Sequence, residues 1–144
     1  MKTWIFIIIS FVLTSGISVK AQELVVAIQA ETTVAGPQYG GTLAFELKNS
    51  IGIGAMWQTE LSKKSDATIP HQLYGGYIQL PISKSKKLAL LANLRVGFSD
   101  EKYLVVIPGL ETRLSITKRM GVAFGMGIRM NYPALSGKIY TTIF

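Results

Sequence analysis

The chain contains no cysteine and only one histidine among its 144 residues. Without thiols there is no disulfide framework, and a single histidine without cysteine does not make up a zinc-type ligand set. After residue 22 no stretch stays apolar for 18 residues, so no transmembrane helix is predicted. These absences exclude disulfide-stapled domains, thiol enzymes and helical membrane proteins, and no metal or cofactor is expected.

Residues 1–21 have the features of a secretory signal peptide. A lysine at position 2 precedes an apolar run over residues 4–13, and a small residue, Ala21, stands at the expected cleavage point. The apolar run is shorter than the roughly 20 residues that a membrane-spanning helix needs. We therefore expect residues 1–21 to be removed during export, which leaves one mature domain over 22–144.

Beyond this segment, apolar and polar residues alternate with a period of two, which is typical of β-strands. Charged residues within the strand-like stretches all fall on one parity, and the other parity is apolar. The predicted fold class is all-β, an eight-stranded antiparallel up-and-down transmembrane barrel. The predicted strands cover 23–35, 41–48, 51–62, 71–82, 88–98, 103–116, 120–131 and 138–144.

The charged parity is interpreted as the inside of the barrel. Glycine is frequent on the same parity, and it suits a crowded interior where backbones and side chains approach closely. Acidic and basic residues on this parity nearly cancel, as expected for paired ions in a confined space. An eight-stranded barrel is just wide enough for side chains to fill. We therefore expect a plugged lumen with a charge network formed by Glu31, Glu46, Glu60, Arg95, Glu111, Arg113 and Arg129, together with the amides Gln29, Gln58 and Asn93.

The predicted connections alternate between two rims. The short turns at 48–50, 83–87 and 117–119 are basic. The connections of the other rim, at 36–40, 62–70, 99–102 and 132–137, carry both signs of charge when taken together. Short turns on the periplasmic side and longer loops outside are typical of outer-membrane barrels. An interfacial aromatic girdle is expected near the long-loop ends. Its predicted members are Tyr39, Trp57, Tyr74, Tyr77, Phe98, Tyr103, Tyr132 and Tyr140.

Three segments resemble the small outer-membrane β-barrel proteins of Gram-negative bacteria, porin-like barrels of the OmpA–OmpX type. They are YGGYIQLPISK at 74–84, the hairpin-like stretch over 108–125, and the C-terminal end from Tyr140 to Phe144. The resemblance implies an outer-membrane location and contact with outer-membrane lipids. It also implies recognition by the barrel assembly machinery through the C-terminal strand, with Tyr140 and Phe144 as the signal. A monomer without a peptidoglycan-binding domain is expected.

No catalytic residue is predicted, and the expected function is that of a non-enzymatic barrel with a role in envelope structure or surface interaction. Three alternatives stay open: a narrow small-solute channel, a soluble periplasmic lipid carrier with the barrel faces inverted, and a lipid-modifying enzyme. The enzyme would use His71 with nearby hydroxyls and carboxylates, but no spacing enforces such an arrangement. Nucleic acid is not expected as a partner of an exported chain without a basic, aromatic-lined patch. The enzyme alternative involves Ser62, Ser65, Asp66, His71, Ser99 and Asp100.

Overall fold

The computed structural model describes residues 21–33, 36–47, 50–60, 72–99 and 103–143. They form eight antiparallel strands, each paired with its sequence neighbours, and β8 pairs back onto β1 to close the barrel. The predicted all-β, eight-stranded antiparallel barrel is confirmed. The strands are β1 (Ala21–Thr33), β2 (Gly36–Leu47), β3 (Gly52–Glu60), β4 (Gln72–Lys84), β5 (Leu88–Ser99), β6 (Tyr103–Ser115), β7 (Met120–Arg129) and β8 (Tyr132–Thr142).

No helix within these described ranges is long and apolar enough to cross a membrane.

The barrel wall separates an apolar exterior from an enclosed interior that carries the buried charges. Met126 on the outer parity of β7 is 61% exposed, whereas Arg95 and Arg129 on the inner parity are each 5% exposed. Large apolar side chains cover the outside of every strand, as Ile28 and Phe124 illustrate. The arrangement is that of a barrel with its apolar residues outside, and not that of a soluble barrel with an apolar interior.

The interior also contains apolar side chains, which the alternation of charge did not indicate. They fill the volume between the polar groups, so the lumen is packed by side chains of both kinds. The buried apolar set is Val25, Ala27, Ala44, Met56, Leu73, Tyr77, Leu91, Val105, Ile107, Ala123, Ala134 and Tyr140.

β2 begins earlier than predicted, because residues 36–40 belong to this strand and do not form a loop. Pro37 is paired with Thr32 of β1 and is the second residue of β2. A proline has no N–H to donate, so it is tolerated near the start of a strand better than in its middle. The predicted loop at 36–40 is therefore wrong.

β8 likewise includes residues 132–137, and the predicted loop at this position is wrong for the same reason. Pro133 is paired with Ile128 of β7, whereas β8 pairs with β1 only from Leu135 onward. The connection between β7 and β8 is a two-residue turn in which Met130 and Asn131 have φ of 49° and 68°. Positive φ at both central residues is the geometry of the tight hairpin turns that match strand twist.

Parts of both rims lie outside the described residues, including residues 48–49 of the predicted short turn at 48–50. The short-turn rim includes both ends of the described chain, and its turns at 85–87 and 116–119 are tied to neighbouring strands. Ser115 donates its backbone N–H to Lys87 O at 2.8 Å, and Thr142 donates its own to Arg119 O at 2.7 Å. At the opposite loop rim, residues 34–35, 61–71 and 100–102 lie outside the described residues. The predicted loop at 62–70 therefore lies outside them too, as does the loop at 99–102 apart from Ser99.

Candidate functional site: the ionic lumen

The lumen near the loop rim contains a group of buried polar side chains that we call the loop-side cluster: Glu31, Gln38, Arg95 and Arg129. Arg95 Nη1 donates to Glu31 Oε2, and Arg129 Nη1 lies 3.7 Å from Glu31 Oε1. Arg129 Nη1 also donates to Gln38 Oε1. One carboxylate is therefore shared by two guanidinium groups, and all four residues are buried.

Strand register brings the loop-side cluster together from four strands. Glu31 of β1 is directly opposite Gln38 of β2, so their side chains lie side by side on the inner face. Arg95 reaches them from β5 and Arg129 from the last residue of β7. The contacts span up to 91 residues of sequence, so only a closed barrel assembles them.

The lumen toward the short-turn rim contains a larger group, the short-turn cluster: Glu46, Gln79, Lys84, Glu111, Arg113 and Lys138. Arg113 is its centre, because its guanidinium makes three hydrogen bonds. Nε donates to Glu111 Oε1 at 3.0 Å, Nη1 to Glu46 Oε2 at 3.1 Å, and Nη2 to Gln79 Oε1 at 2.7 Å. The planar fork of an arginine suits such multiple contacts with carboxylates and amides.

Two lysines of this cluster form the ends of a chain of side chains whose charges alternate. Lys138 Nζ donates to Glu111 Oε2 deep in the lumen. At the other end, Lys84 Nζ is 3.7 Å from Glu46 Oε1 and donates to Ser50 Oγ at 2.6 Å. Lys84 is the exposed end of the chain, since its side chain is 57% accessible. The order Lys84, Glu46, Arg113, Glu111, Lys138 runs from the rim to the interior.

Two tyrosines pack against the cations of the short-turn cluster. Arg113 Cζ lies 5.2 Å from the centre of the Tyr140 ring, and Lys138 Nζ lies 5.8 Å from that of Tyr77. The Tyr140 ring sits over Gly121, where an added Cβ would be 2.3 Å from Tyr140 Oη. Tyr77 and Tyr140 are only 5% and 9% exposed, so their predicted place in an interfacial girdle is wrong.

The outer aromatic residues agree better with the predicted girdle. Tyr39 and Trp57 form an edge-to-face pair on the outside of β2 and β3, with ring centroids 6.2 Å apart. Rings with one polar atom suit a membrane–water interface. The exposed aromatic residues of the predicted set are Tyr39, Trp57, Phe98, Tyr103 and Tyr132, while Tyr74 is half-buried.

Buried amides accompany the two ionic clusters. Within the described part of the chain, the amide groups of Gln29 and Gln58 have no hydrogen-bond partner on the protein, and the same holds for Asn93 Oδ1. Asn93 is opposite Gln79 and two residues from Arg95, so it lies along β5 between the two clusters.

Six of the seven charged residues predicted for the lumen occur in the two clusters, and the seventh, Glu60, is half-buried at the loop-side end of β3. Sequence analysis missed Gln38, Gln79, Lys84, Lys138, Tyr77 and Tyr140 as members or neighbours of the clusters. For Tyr77, Gln79 and Tyr140 the strand parity was a sufficient signal, because each lies on the parity of a buried neighbour.

The other predicted residues form no second site within the described part of the chain. Tyr140 of the expected C-terminal assembly signal points into the lumen, and Phe144 lies outside the described residues. Of the residues considered for a lipid-modifying enzyme, only Ser99 is described; it is buried and donates to Gln72 O at 3.2 Å. Among the residues described, no group of three or more His, Cys, Asp or Glu residues could hold a metal ion.

Comparison with solved structures identifies the fold. The designed transmembrane barrel TMB2.3 superimposes with a TM-score of 0.69 at 14% identity, covering 85% of this chain and 94% of that one. The N-terminal β-barrel domain of Pseudomonas aeruginosa OprF gives a TM-score of 0.66 at 8% identity, covering 84% and 97%. A second designed transmembrane β-barrel also gives 0.66, at 9% identity, covering 86% and 98%.

No protein-family model and no curated protein sequence matches the chain. At these identities the structural likeness establishes the fold alone, an eight-stranded antiparallel β-barrel like those of the designed barrels and the OprF domain.

Proposed function

We propose that this chain is a non-enzymatic integral outer-membrane β-barrel of a Gram-negative bacterium, exported through a cleaved signal peptide and acting in envelope structure or surface interaction. The observation that carries the proposal is the apolar exterior. An outward-facing apolar band with an enclosed polar interior is the pattern of outer-membrane barrels. In water, the same exterior would be a contiguous apolar patch far larger than soluble monomers tolerate.

The lumen is proposed to be closed to solutes. Arg113 is tied to three side chains from β2, β4 and β6, and Glu31 is tied to Arg95 and near Arg129. An ion or small solute that crossed the barrel would have to break these contacts and leave charges unpaired in a confined space, at several kcal/mol each. The geometry therefore favours a filled barrel over a narrow channel.

Partners are proposed from the same features. The apolar exterior is suited to acyl chains, and the exposed aromatic residues are suited to the headgroup level. The C-terminal strand β8 closes the barrel on β1, so it is the natural segment for recognition by assembly machinery. A surface interaction would use the predicted loops at 62–70 and 99–102, since the predicted loops at 36–40 and 132–137 are strands. The closed wall is suited to a monomer.

Membrane fractionation with heat-modifiable gel migration tests the proposal. The protein is expected in the outer-membrane fraction after a carbonate wash, with faster migration of the unheated, folded form. Recovery in the soluble periplasm would contradict it.

In planar bilayers the purified protein is expected to give no conductance steps. Steps above baseline would show that the barrel is a channel and not closed. For the enzyme alternative, His71→Ala is expected to leave lipid A acyl patterns unchanged, and a changed pattern would support that alternative.

A further inference from the structure

The lumen opens at the short-turn rim into a cavity of about 180 Å³. Two neighbouring hairpin turns, 85–87 and 116–119, form much of its border, and the side chains of Tyr140 and Arg113 contribute to its lining. This cavity is separate from the loop-side cluster. It is continuous with the short-turn cluster, because Glu46, Lys84 and Arg113 belong to both.

The cavity is strongly basic. Two acidic residues, Glu23 and Glu46, line it, and Glu46 is already engaged by Lys84 and Arg113. A concave surface with one sign of charge and low-dielectric walls concentrates the potential and attracts counter-ions. The basic lining consists of Lys84, Lys86, Lys87, Arg113, Lys118 and Arg119.

Four of these cations are not neutralised within the described part of the chain. Lys86, Lys87, Lys118 and Arg119 form no ion pair with a described carboxylate, and all four are exposed at the rim. They lie on two adjacent turns, so their like charges repel one another across the cavity. An anion in the cavity would relieve this repulsion.

Hydroxyl groups complete the set of donors. Ser50 Oγ accepts from Lys84 Nζ, and Thr117 Oγ1 accepts from the backbone N–H groups of Arg119 and Met120. Because each hydroxyl acts as an acceptor in these bonds, its own hydrogen is left to be donated. Lysines and hydroxyls around a small cavity suit a compact, highly charged oxyanion, and lysine is a common phosphate binder.

We propose that this cavity, the basic vestibule, is a binding site for a phosphate group. Lys86, Lys87, Lys118 and Arg119 supply the charge, and the hydroxyls of Ser50 and Thr117 supply directional hydrogen bonds. The phosphate belongs either to a phospholipid headgroup of the adjacent leaflet or to a soluble phosphate ester. The proposal goes beyond the barrel function proposed above, and it fails or holds independently of the fractionation result.

The test is a titration of the full mature barrel, refolded in zwitterionic detergent, with inorganic phosphate while backbone amide NMR shifts are followed. Saturable shifts are expected for residues 85–88 and 117–120, and chloride at equal ionic strength is not expected to reproduce them. No shift, or the same shift with chloride, would overturn the proposal.

Two variants act in opposite directions on the same cavity. Lys86→Gln/Lys87→Gln is expected to weaken phosphate binding by about fivefold or more, because it removes two of the uncompensated charges. Glu23→Gln is expected to strengthen binding, because it removes an acid from the lining. Heat-modifiable migration verifies that each variant is folded. Unchanged affinity in both folded variants would contradict the site.

Nanodiscs distinguish the two sources of phosphate. Discs of phosphatidylcholine alone are compared with discs containing one part in five phosphatidylglycerol. If the anionic lipid alone shifts the amides of 85–88 and 117–120 and weakens the response to inorganic phosphate, the site binds a headgroup. If the phosphate response is the same in both discs, the site binds a soluble phosphate. Both results support the site. Phosphatidylcholine also carries a headgroup phosphate, so a phosphate response that is lost in both discs but kept in a phosphate-free detergent likewise assigns a headgroup to the site. A response that is absent from the phosphate-free detergent as well would overturn it.

Discussion

The two ionic clusters of the lumen neutralise their buried charges in different ways. In the loop-side cluster, two guanidinium groups converge on the single carboxylate of Glu31, and all of these groups are enclosed. In the short-turn cluster, charges alternate along a chain from the exposed Lys84 to the buried Lys138, and Arg113 is held by three partners.

The difference shows which charged groups contribute most to stability. The loss of stability on removing a partner depends on how many other partners the remaining charge has and on whether it reaches water. A buried charge whose partner is removed bears its whole desolvation penalty, typically 3–5 kcal/mol. A charge that has further partners, or that reaches water, bears much less. The loop-side cluster should therefore be sensitive to single substitutions, and the short-turn cluster should be tolerant.

Glu31→Gln is expected to have the largest effect. Among the described residues, Glu31 is the only carboxylate in ion-pair contact with Arg95, so its neutralisation leaves that buried guanidinium without a counter-ion. A loss of about 3–5 kcal/mol in the free energy of unfolding is expected, measured by urea titration of heat-modifiable migration. The double variant Glu31→Gln/Arg95→Gln should recover part of the loss. A loss below about 1 kcal/mol would show that the cluster is not as enclosed as described.

Gly121→Ala tests the packing under the short-turn cluster. Its Cβ would lie 2.3 Å from Tyr140 Oη and 2.4 Å from Leu114 O, so both the Tyr140 ring and the adjoining backbone of β6 must shift. Overpacking of this kind costs about 1–3 kcal/mol. The control is Gly137→Ala, where an added Cβ meets nothing within 4 Å. Equal unfolding midpoints for the two variants would contradict the described position of the ring.

Glu46→Gln removes one carboxylate from the redundant chain. Arg113 keeps its bonds to Glu111 and Gln79, so a loss of only about 1–2 kcal/mol is expected in the same urea titration. A loss as large as that of Glu31→Gln would remove the distinction between the two clusters.

Lys84→Gln is expected to have the smallest effect. This lysine is largely exposed, and its 3.7 Å contact with Glu46 is screened by water. A change within about 0.5 kcal/mol is expected, as is usual for exposed pairs. The difference in unfolding midpoint between the variant and the unchanged protein should be nearly the same at low and at high salt. A strong salt dependence of that difference would show that Lys84 contributes more to stability than its exposure suggests.

The strand number, the closed antiparallel topology and the enclosed face were predictable from the sequence, because strand side chains alternate with a period of two. The starts of β2 and β8 were not. Pro37 and Pro133 indicate turns locally, but each is the second residue of a strand and is paired with a neighbouring strand, with Thr32 and Ile128 respectively. How far a strand continues toward the rim depends on the stagger between neighbouring strands, which local sequence does not reveal.

The composition of the clusters was predictable only in part. Lys138 was overlooked as a lumen residue because β8 was predicted to begin there, and Lys84 was assigned to a turn although β4 extends to it. Tyr77 and Tyr140 were assigned to the interface by residue type, although each lies on the inner parity of its strand. Which arginine meets which glutamate follows from register across the closed barrel, which no local pattern specifies.

Fluorescence quenching by lipids brominated on their acyl chains tests most directly which face of the wall meets the membrane. Trp57 is the only tryptophan beyond the predicted signal peptide, and it faces outward from β3. Its emission in bilayers is expected to be strongly quenched. In a Trp57→Phe/Tyr77→Trp variant, the tryptophan would lie in the lumen and is expected to be little quenched. Strong quenching at position 77 with little at position 57 would contradict the account.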